Sequence, residues 1–243
     1  WIDKESASSL GLKSGAQYEK FKAKNIRIHG ASAIDGHAKL LVDVQQISLS
    51  YGSDALFSPV TFQLREGERI ELRGRNGAGK TTLIRAMLDY IATDTIAHDI
   101  QVLGGIIEAD RGISIGVYEQ EVGPELFDKT LHDAIEHIYL SRKLAISETK
   151  IRQLLSDYLF EASDSLVPVR QLSGGQKSRL QLIAMMANNP RLLVLDEPTN
   201  HLDLPSIEEL ENAIKNYRGA VLYVSHDTYF QNAVGGEVIA IKK

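Results

Sequence analysis

The chain has 243 residues, of which 43% are apolar and 24% are charged, and its net charge is −5. This length can bury a core in one large or two small domains. The absence of cysteine excludes disulfides and thiolate metal sites and fits a reducing compartment such as the cytoplasm. The charge gives no argument for nucleic-acid binding, and no apolar run reaches the roughly 18 residues that span a bilayer, so no membrane association is expected.

The first segment, residues 1–39, differs in composition from the rest because glycine, serine and alanine are frequent there. The stretch Ala16–His29 carries four basic side chains against the single acid Glu19. One interpretation is a solvated helix or linker, and the other is a basic tether that touches a phosphate backbone. We predict that residues 1–39 form an N-terminal tether and that residues 40–243 form the globular domain.

The globular domain opens with two predicted strands, Leu40–Leu49 and Val60–Leu64, which are rich in β-branched and apolar residues. Tyr51 follows the first strand. Its ring can either stack on the adenine of a nucleotide or pack against the sheet, and the local pattern does not choose between the two.

A glycine-rich loop, Gly74–Thr81, lies between a predicted strand and a predicted helix. Residues 68–73 alternate polar and apolar side chains, and apolar residues recur at helical spacing from Leu83 to Ile91. A glycine-rich turn with a solvated lysine would not explain this arrangement, whereas a phosphate-binding loop would. Lys80 can then reach the β- and γ-phosphates of ATP, and the Thr81 hydroxyl can ligate Mg²⁺. The predicted nucleotide-binding residues here are Gly74, Asn76, Gly77, Ala78, Gly79, Lys80, Thr81 and Thr82.

Two further strands are predicted at Ile100–Leu103 and Ile113–Tyr118, with glycines between them. Gln120 follows the second strand. A lone glutamine after a strand usually has no special role, but this amide can ligate Mg²⁺ or position a water if the strand end faces the phosphates.

Residues 124–170 have helical patterning and are predicted to form a small helical subdomain. Thr130 and Ser147 stand at N-cap positions before two amphipathic segments. His132 and His137 lack metal-ligand spacing and are interpreted as surface or core histidines.

The stretch Leu172–Gln176 opens another helix. Ser173 and Gln176 have the spacing of a capping box, in which each side chain binds the other residue's backbone N–H. Gly174 and Gly175 occupy the first turn, where each glycine costs on the order of 1 kcal/mol. This cost predicts that a ligand approaches the backbone closely, and an anion is the natural candidate.

A wholly apolar run, Leu192–Leu195, predicts a central parallel strand that ends in Asp196 and Glu197. Ligands bind at the carboxyl ends of strands in open α/β sheets. Asp196 can therefore hold Mg²⁺ through water, and Glu197 can orient the attacking water or accept its proton.

The chain continues through a predicted turn at residues 200–203, a helix from Pro205 and an apolar strand, Ala220–Val224. His226 follows this strand directly. Its Nε2 is predicted to contact the γ-phosphate and to sense whether that phosphate is present.

These residues together resemble the nucleotide-binding domain of ATP-binding-cassette proteins. The resemblance covers about residues 40–243 and implies an α/β P-loop NTPase fold of the ABC type with a β-subdomain and a small helical subdomain. It assigns Gln120 to the Q-loop, Asp203 to the D-loop and His226 to the switch position. The six matching motifs are Gly74–Thr81, Gln120, Leu172–Gln176, Asp196–Glu197, Asp203 and His226.

A finer resemblance, carried by Glu197–Asp203 and Leu172–Leu180, is to the F subfamily, whose members act on ribosomes and not in transport. Within that subfamily, the chain resembles the C-terminal cassette preceded by the end of the interdomain linker.

The resemblance implies an ATPase that uses ATP and Mg²⁺ in the cytoplasm, with a second cassette and ribosomal RNA as partners. The second cassette is a missing half or another copy of the chain. Ser173, Gly174, Gly175, Gln176 and Asp203 would then contact ATP held by that second cassette. Ribosomal protection against antibiotics is one role in the F subfamily. The alternative is the ATPase subunit of a membrane ABC transporter.

Overall fold

The computed structural model describes residues 38–97, 99–119, 121–200, 202 and 204–243. Residues 1–37 of the predicted tether, Gln120 and Asp203 therefore lie outside the described residues. The chain divides into two compact units. We call them the sheet unit, with residues 38–117, 190–197 and 218–243, and the helical unit, with residues between 118 and 189 and between 198 and 217.

The strands and helices alternate along most of the chain. The strands are β1 Leu40–Ser50, β2 Val60–Arg65, β3 Arg69–Arg73, β4 Gln101–Ala109, β5 Ile115–Tyr118, β6 Leu192–Asp196, β7 Ala220–Val224 and β8 Glu237–Ala240. The α-helices are α1 Lys80–Thr93, α2 Leu131–Ser141, α3 Glu148–Asp157, α4 Gly174–Met186, α5 Leu204–Asn216 and α6 Thr228–Val234. Short 3₁₀ helices lie at Pro124–Leu126, Ala162–Leu166 and Val169–Gln171.

Two sheets form the framework of the sheet unit. An antiparallel sheet has the order β2-β1-β4, and a larger sheet has the order β5-β6-β7-β3-β8, in which β6, β7, β3 and β8 pair in parallel. The strands β6 and β7 are buried along their apolar residues, as the sequence predicted for central parallel strands. Leu83 and Met87 of α1 pack in the same core as Leu72 and Val194, so the helix after the glycine-rich loop is fixed to the sheet.

The predicted end of the fourth strand was wrong. The sequence placed it at Leu103, before two glycines, but β4 continues through them to Ala109. Gly105 has a φ of +82°, and a Cβ there would lie 2.3 Å from the carbonyl oxygen of Gln46 on β1. The pairing register also shifts beside this point. The glycine therefore allows a β-bulge inside a continuing strand and does not end it.

The helical unit contains helices that begin at side-chain caps. Thr130 accepts a hydrogen bond from the backbone N–H of Asp133 at the start of α2, and Ser147 accepts one from that of Lys150 at the start of α3. Both predicted caps are confirmed. Helix α5 begins at Leu204, one residue before the predicted start.

Candidate active site

The glycine-rich loop connects β3 to α1 and requires glycine at a specific position. Gly79 is the N-cap residue of α1 and has a φ of 93°. A Cβ there would lie 2.7 Å from the ring of Phe57, which is only 1% exposed. No described side chain caps the first turn of α1. The helix therefore keeps its first backbone N–H groups for an anion.

The side chain of Lys80 folds back over this loop. It is 8% exposed, and its Nζ donates to the carbonyl oxygens of Gly74 at 3.0 Å and of Arg75 at 3.2 Å. The buried ammonium group thus stands inside the loop, where a phosphate oxygen would compete with these two carbonyls. This is the arrangement that a phosphate-binding lysine requires.

A cavity of about 370 Å³ adjoins the loop and brings many of the predicted residues together. Its lining residues are Tyr51, Leu56, Asn76, Gly77, Gly79, Lys80, Thr81, Thr82, Asp196 and Glu197. Leu56 was not predicted. Its position is fixed by the backbone, because the N–H of Leu56 donates to the carbonyl of Leu49 at 2.8 Å. The periodicity of the sequence does not indicate this contact.

Tyr51 stands at the rim of this cavity. Its side chain is 52% exposed, so it is not buried against the sheet. Its hydroxyl lies 3.3 Å from the Thr82 hydroxyl, which holds the ring near the start of α1. Stacking of this ring on an adenine stays a prediction.

Glu197 and His226 pair at the carboxyl ends of β6 and β7. The backbone N–H of His226 donates to Glu197 Oε2 at 3.1 Å, and the His226 Nε2 lies 3.2 Å from Glu197 Oε1. Glu197 also has a φ of 50°, a left-handed conformation that side-chain-bearing residues adopt at a cost, and its N–H donates to Val224. The two predicted catalytic side chains are therefore adjacent, and the predicted contact of His226 with a γ-phosphate stays untested.

The same cavity supplies oxygen ligands for a divalent cation. Thr81 and Asp196 both line it, and hard cations such as Mg²⁺ prefer hydroxyl and carboxylate oxygens of the kind that these side chains carry. Among the described residues, no group of three or more His, Cys, Asp or Glu side chains could hold a metal ion. The residues therefore fit Mg²⁺ bound together with substrate phosphates and not in an all-protein cage.

The start of α4 in the helical unit shows the predicted capping box. The Ser173 hydroxyl accepts a hydrogen bond from the backbone N–H of Gln176 at 3.2 Å. The side-chain oxygen of Gln176 in turn accepts one from the backbone N–H of Ser173 at 2.9 Å. A Cβ on Gly174 would meet no described heavy atom within 4 Å. Packing against the described residues therefore does not require glycine at 174, and there is open space where its side chain would be.

A contact that the sequence did not predict fixes the chain just before Gln120. Gln181 of α4 donates to the carbonyl oxygen of Glu119 at 2.7 Å and accepts from the hydroxyl of Tyr118 at 3.3 Å. Burial raises the pKa of Tyr118 to about 12, so the phenol stays protonated as a donor. Helix α4 thus positions the segment that leads into Gln120. A glutamine in mid-helix gives no sequence signal for this role.

Comparison with protein families gives a match of residues 57–200 to the family described as "ABC transporter". The chain is 39% identical over 199 residues to the ATP-binding protein YdiF of Bacillus subtilis, covering 82% of the chain and 29% of that protein. It is 32% identical over 192 residues to the ribosome protection protein VmlR of the same organism, covering 79% of the chain and 32% of that protein. It is 34% identical over 203 residues to ABC transporter F family member 5 of Arabidopsis thaliana, covering 83% and 28%.

The chain thus spans about a third of the length of these relatives. Among solved structures it is similar to the dimeric, post-hydrolysis state of the ATP-binding cassette MJ0796 bound to ADP and Pi, with a TM-score of 0.63. The sequences are 23% identical, and the match covers 83% of this chain and 94% of that one. None of the described helices combines the length and the apolar character that crossing a membrane requires.

Proposed function

The chain belongs to the ABC transporter family, and from this membership we propose that it is an ATP-binding cassette that hydrolyses ATP with a second cassette and acts on the ribosome. The observation that carries the ATP site is the shared cavity. It joins the phosphate-loop residues Lys80 and Thr81 to Asp196 and Glu197 at the end of a parallel strand.

In this proposal, the loop amides and Lys80 bind the β- and γ-phosphates, and Tyr51 supports the adenine. Thr81 and Asp196 would hold Mg²⁺, which supplies Lewis-acid stabilisation of phosphate charge when bound. Gln120 would add its amide to that ligand set. Glu197 orients the attacking water and accepts its proton, and His226 holds Glu197 through the ring contact at 3.2 Å.

The second cassette completes the site. Ser173, Gly174 and Gly175 of one cassette would present the start of their helix to the γ-phosphate held by the other, and Asp203 would lie at the same interface. A single chain should therefore bind ATP but hydrolyse it slowly. The rate per chain should rise with chain concentration, because two chains must meet.

The experiment measures the rate of ATP hydrolysis and the affinity for ATP in the same variants. With Glu197→Gln, we expect ATP affinity within about twofold of the parent chain and turnover lower by about a hundredfold or more, because the water loses its base. The control Glu108→Gln changes an exposed glutamate on β4 and should leave both values unchanged. Turnover that survives Glu197→Gln would remove Glu197 from this role.

The ribosome as partner is supported by one relative, which is named as a ribosome protection protein. We further propose that residues 1–39 are a tether next to the cassette of residues 40–243, and that its four basic residues in 16–29 contact ribosomal RNA. Antibiotic protection is one form that such an activity would take.

Co-sedimentation tests this partner. The Glu197→Gln chain loaded with ATP should pellet with ribosomes at low salt, and the signal should fall as salt rises. The Lys80→Ala chain should stay in the supernatant, since it should not retain ATP. Equal pelleting with and without ATP would contradict an ATP-driven ribosomal role.

A further inference from the structure

A buried carboxylate on the strand before the phosphate loop has bonds that the proposed ATP site does not use. Glu71 lies in the middle of β3 and is 2% exposed. It accepts from Arg73 Nε at 2.6 Å and from Arg73 Nη2 at 2.7 Å. A third bond comes from the Gln231 Nε2 of α6, at 3.0 Å. A buried charge with such partners is held in one geometry, because leaving it unpaired is costly.

Gln231 links this carboxylate to the strand that ends at His226. Its Nε2 also donates to the carbonyl oxygen of Ser225 at 2.7 Å. Both partners of Nε2 are acceptors, so the amide orientation is fixed by chemistry. The Ser225 carbonyl belongs to the peptide bond that leads directly into His226. One side chain therefore connects the phosphate-loop strand to the backbone that carries His226.

The loop around His226 is held from other sides as well. The Ser225 hydroxyl accepts from the backbone N–H of Asp227 at 3.0 Å, and Asp227 caps α6. Glu197 accepts from the His226 backbone N–H and contacts its ring. Of these contacts, the hydrogen bond from the Gln231 amide to Glu71 is the one that reaches β3.

We propose that Glu71 and Gln231 are positioning residues that hold the His226 loop in register with the phosphate loop and with Glu197. The inference rests on the proposed function, since it gives His226 and Glu197 their roles there. The two residues act through the Ser225 carbonyl and contact no substrate. Their loss moves the His226 ring away from Glu197 without removing any group that binds nucleotide.

The first test needs no nucleotide. In side-chain ¹H–¹³C NMR spectra of the full chain, the His226 signal is assigned by its absence in His226→Ala. We expect this signal to shift in Gln231→Met, which keeps the length of the side chain and removes both donors. In the control Gln45→Met it should stay in place. The control makes the same chemical change in the same unit, at a glutamine that donates to Asp43 at 2.9 Å. An unmoved His226 signal in Gln231→Met would overturn the proposal.

The second test measures hydrolysis in two backgrounds. Gln231→Met should lower kcat by about tenfold or more and change KM by less than about twofold, because misplacement of a catalytic group lowers the chemical step. In the His226→Ala background the same substitution should change kcat by less than about twofold, because the residue it positions is absent. An equal fold-loss in both backgrounds would mean a general structural effect and would refute the positioning role.

Glu71→Gln provides a second variant should Gln231→Met unfold. It keeps an acceptor for Gln231 but removes the carboxylate charge, so we expect a smaller shift of the His226 signal than in Gln231→Met. The loss in kcat should occur in the chain that retains His226 and be absent in the His226→Ala background. Full kcat and an unmoved signal in this variant would count against Glu71. A chain that binds no ATP would refute the proposed function, whereas the NMR test would still decide the position of His226.

Discussion

Two helix starts in this chain carry glycines, and their hydrogen bonds differ. Helix α1 begins after Gly79, no described side chain caps it, and Lys80 lies over the loop that precedes it. Helix α4 begins after the N-cap residue Ser173, and the capping box of Ser173 and Gln176 satisfies two backbone N–H groups within the chain. Among the described residues, the first start has no side-chain acceptor for its backbone donors, whereas two backbone donors of the second start are satisfied by the chain's own side chains.

These hydrogen bonds suit the two helix starts to different stages of nucleotide binding. The α1 start places a buried lysine and residues of the helix's first turn beside one cavity, so it suits nucleotide binding by a single chain. The α4 start is stable without a ligand, and the Ser173 hydroxyl still has its hydrogen to donate to an oxygen outside the chain. This fits a surface that meets a γ-phosphate only after a second cassette has bound.

The helix starts should differ most in ATP affinity when one lysine at each of them is replaced. Lys80→Ala should weaken ATP affinity by about a hundredfold, because charge-assisted bonds to phosphate are lost. Lys177→Ala removes a lysine from the first turns of α4 and should leave the affinity of the separate chain within about twofold. Calorimetric titration of ATP into dilute chain measures both. A similar loss in both variants would mean that the two helix starts do not differ in this way.

The next comparison is between the effects on stability of replacing one glycine at each helix start. Gly79→Ala should lower the free energy of unfolding by about 2–4 kcal/mol, because alanine must adopt a positive φ and meet the buried ring of Phe57. Gly174→Ala meets no described atom, and its stability should be unchanged or higher by up to about 1 kcal/mol. Urea unfolding of the two variants measures the difference. A destabilised Gly174→Ala would show that packing within the chain requires that glycine.

Much of this arrangement could be predicted from the sequence. The fold class and the resemblance to the F subfamily are confirmed by the family match and by the relatives. Local patterns sufficed where one segment carries the information, as at the Ser173 capping box and at the apolar strand of residues 192–195. Those features follow from periodicity and capping chemistry alone.

Other features depend on contacts between distant segments, and the sequence could not supply them. The continuation of β4 through Gly105 depends on the backbone of Gln46 on a neighbouring strand. The contact between Gln231 and Glu71 joins residues 160 positions apart. No local pattern marks either contact, because a glycine in a strand or a glutamine in a helix can also occur without such a role. The pairing of Glu197 with His226 likewise depends on the order of β6 and β7 in the sheet.

Ser173→Asp separates the two roles of the α4 start. Aspartate is as good an N-cap as serine, so the free energy of unfolding should stay within about 0.5 kcal/mol of the parent chain. Its negative charge would face the γ-phosphate of the second cassette, so hydrolysis at high chain concentration should fall by about tenfold or more. Ser173→Asn keeps the cap without the charge and should retain more activity. Full hydrolysis in Ser173→Asp would place the γ-phosphate elsewhere.

The smallest effect concerns the other capped helices of the helical unit, where a histidine joins two helix starts. His132 Nε2 lies 2.9 Å from Glu148 Oε1 at the start of α3, and its Nδ1 lies 3.2 Å from Asp133 Oδ1 in α2. Burial lowers the pKa of His132, but the hydrogen bonds to Asp133 and Glu148 outweigh it and raise the pKa above 6.5.

A raised pKa in the folded state means that protonation stabilises the fold. The contribution is fully present below pH 6.5 and is lost as the pH rises through the folded-state value. It should stay below about 1 kcal/mol, because both carboxylates are more than half exposed and screened by solvent. Urea unfolding of the parent chain and of His132→Asn at pH 6.0 and pH 8.5 measures it. The stability difference between the two chains should be larger at pH 6.0, and a difference that grew towards pH 8.5 would contradict this ion pair. Among the described residues, no side chain caps α1, so we expect no corresponding pH-dependent contribution from the start of that helix.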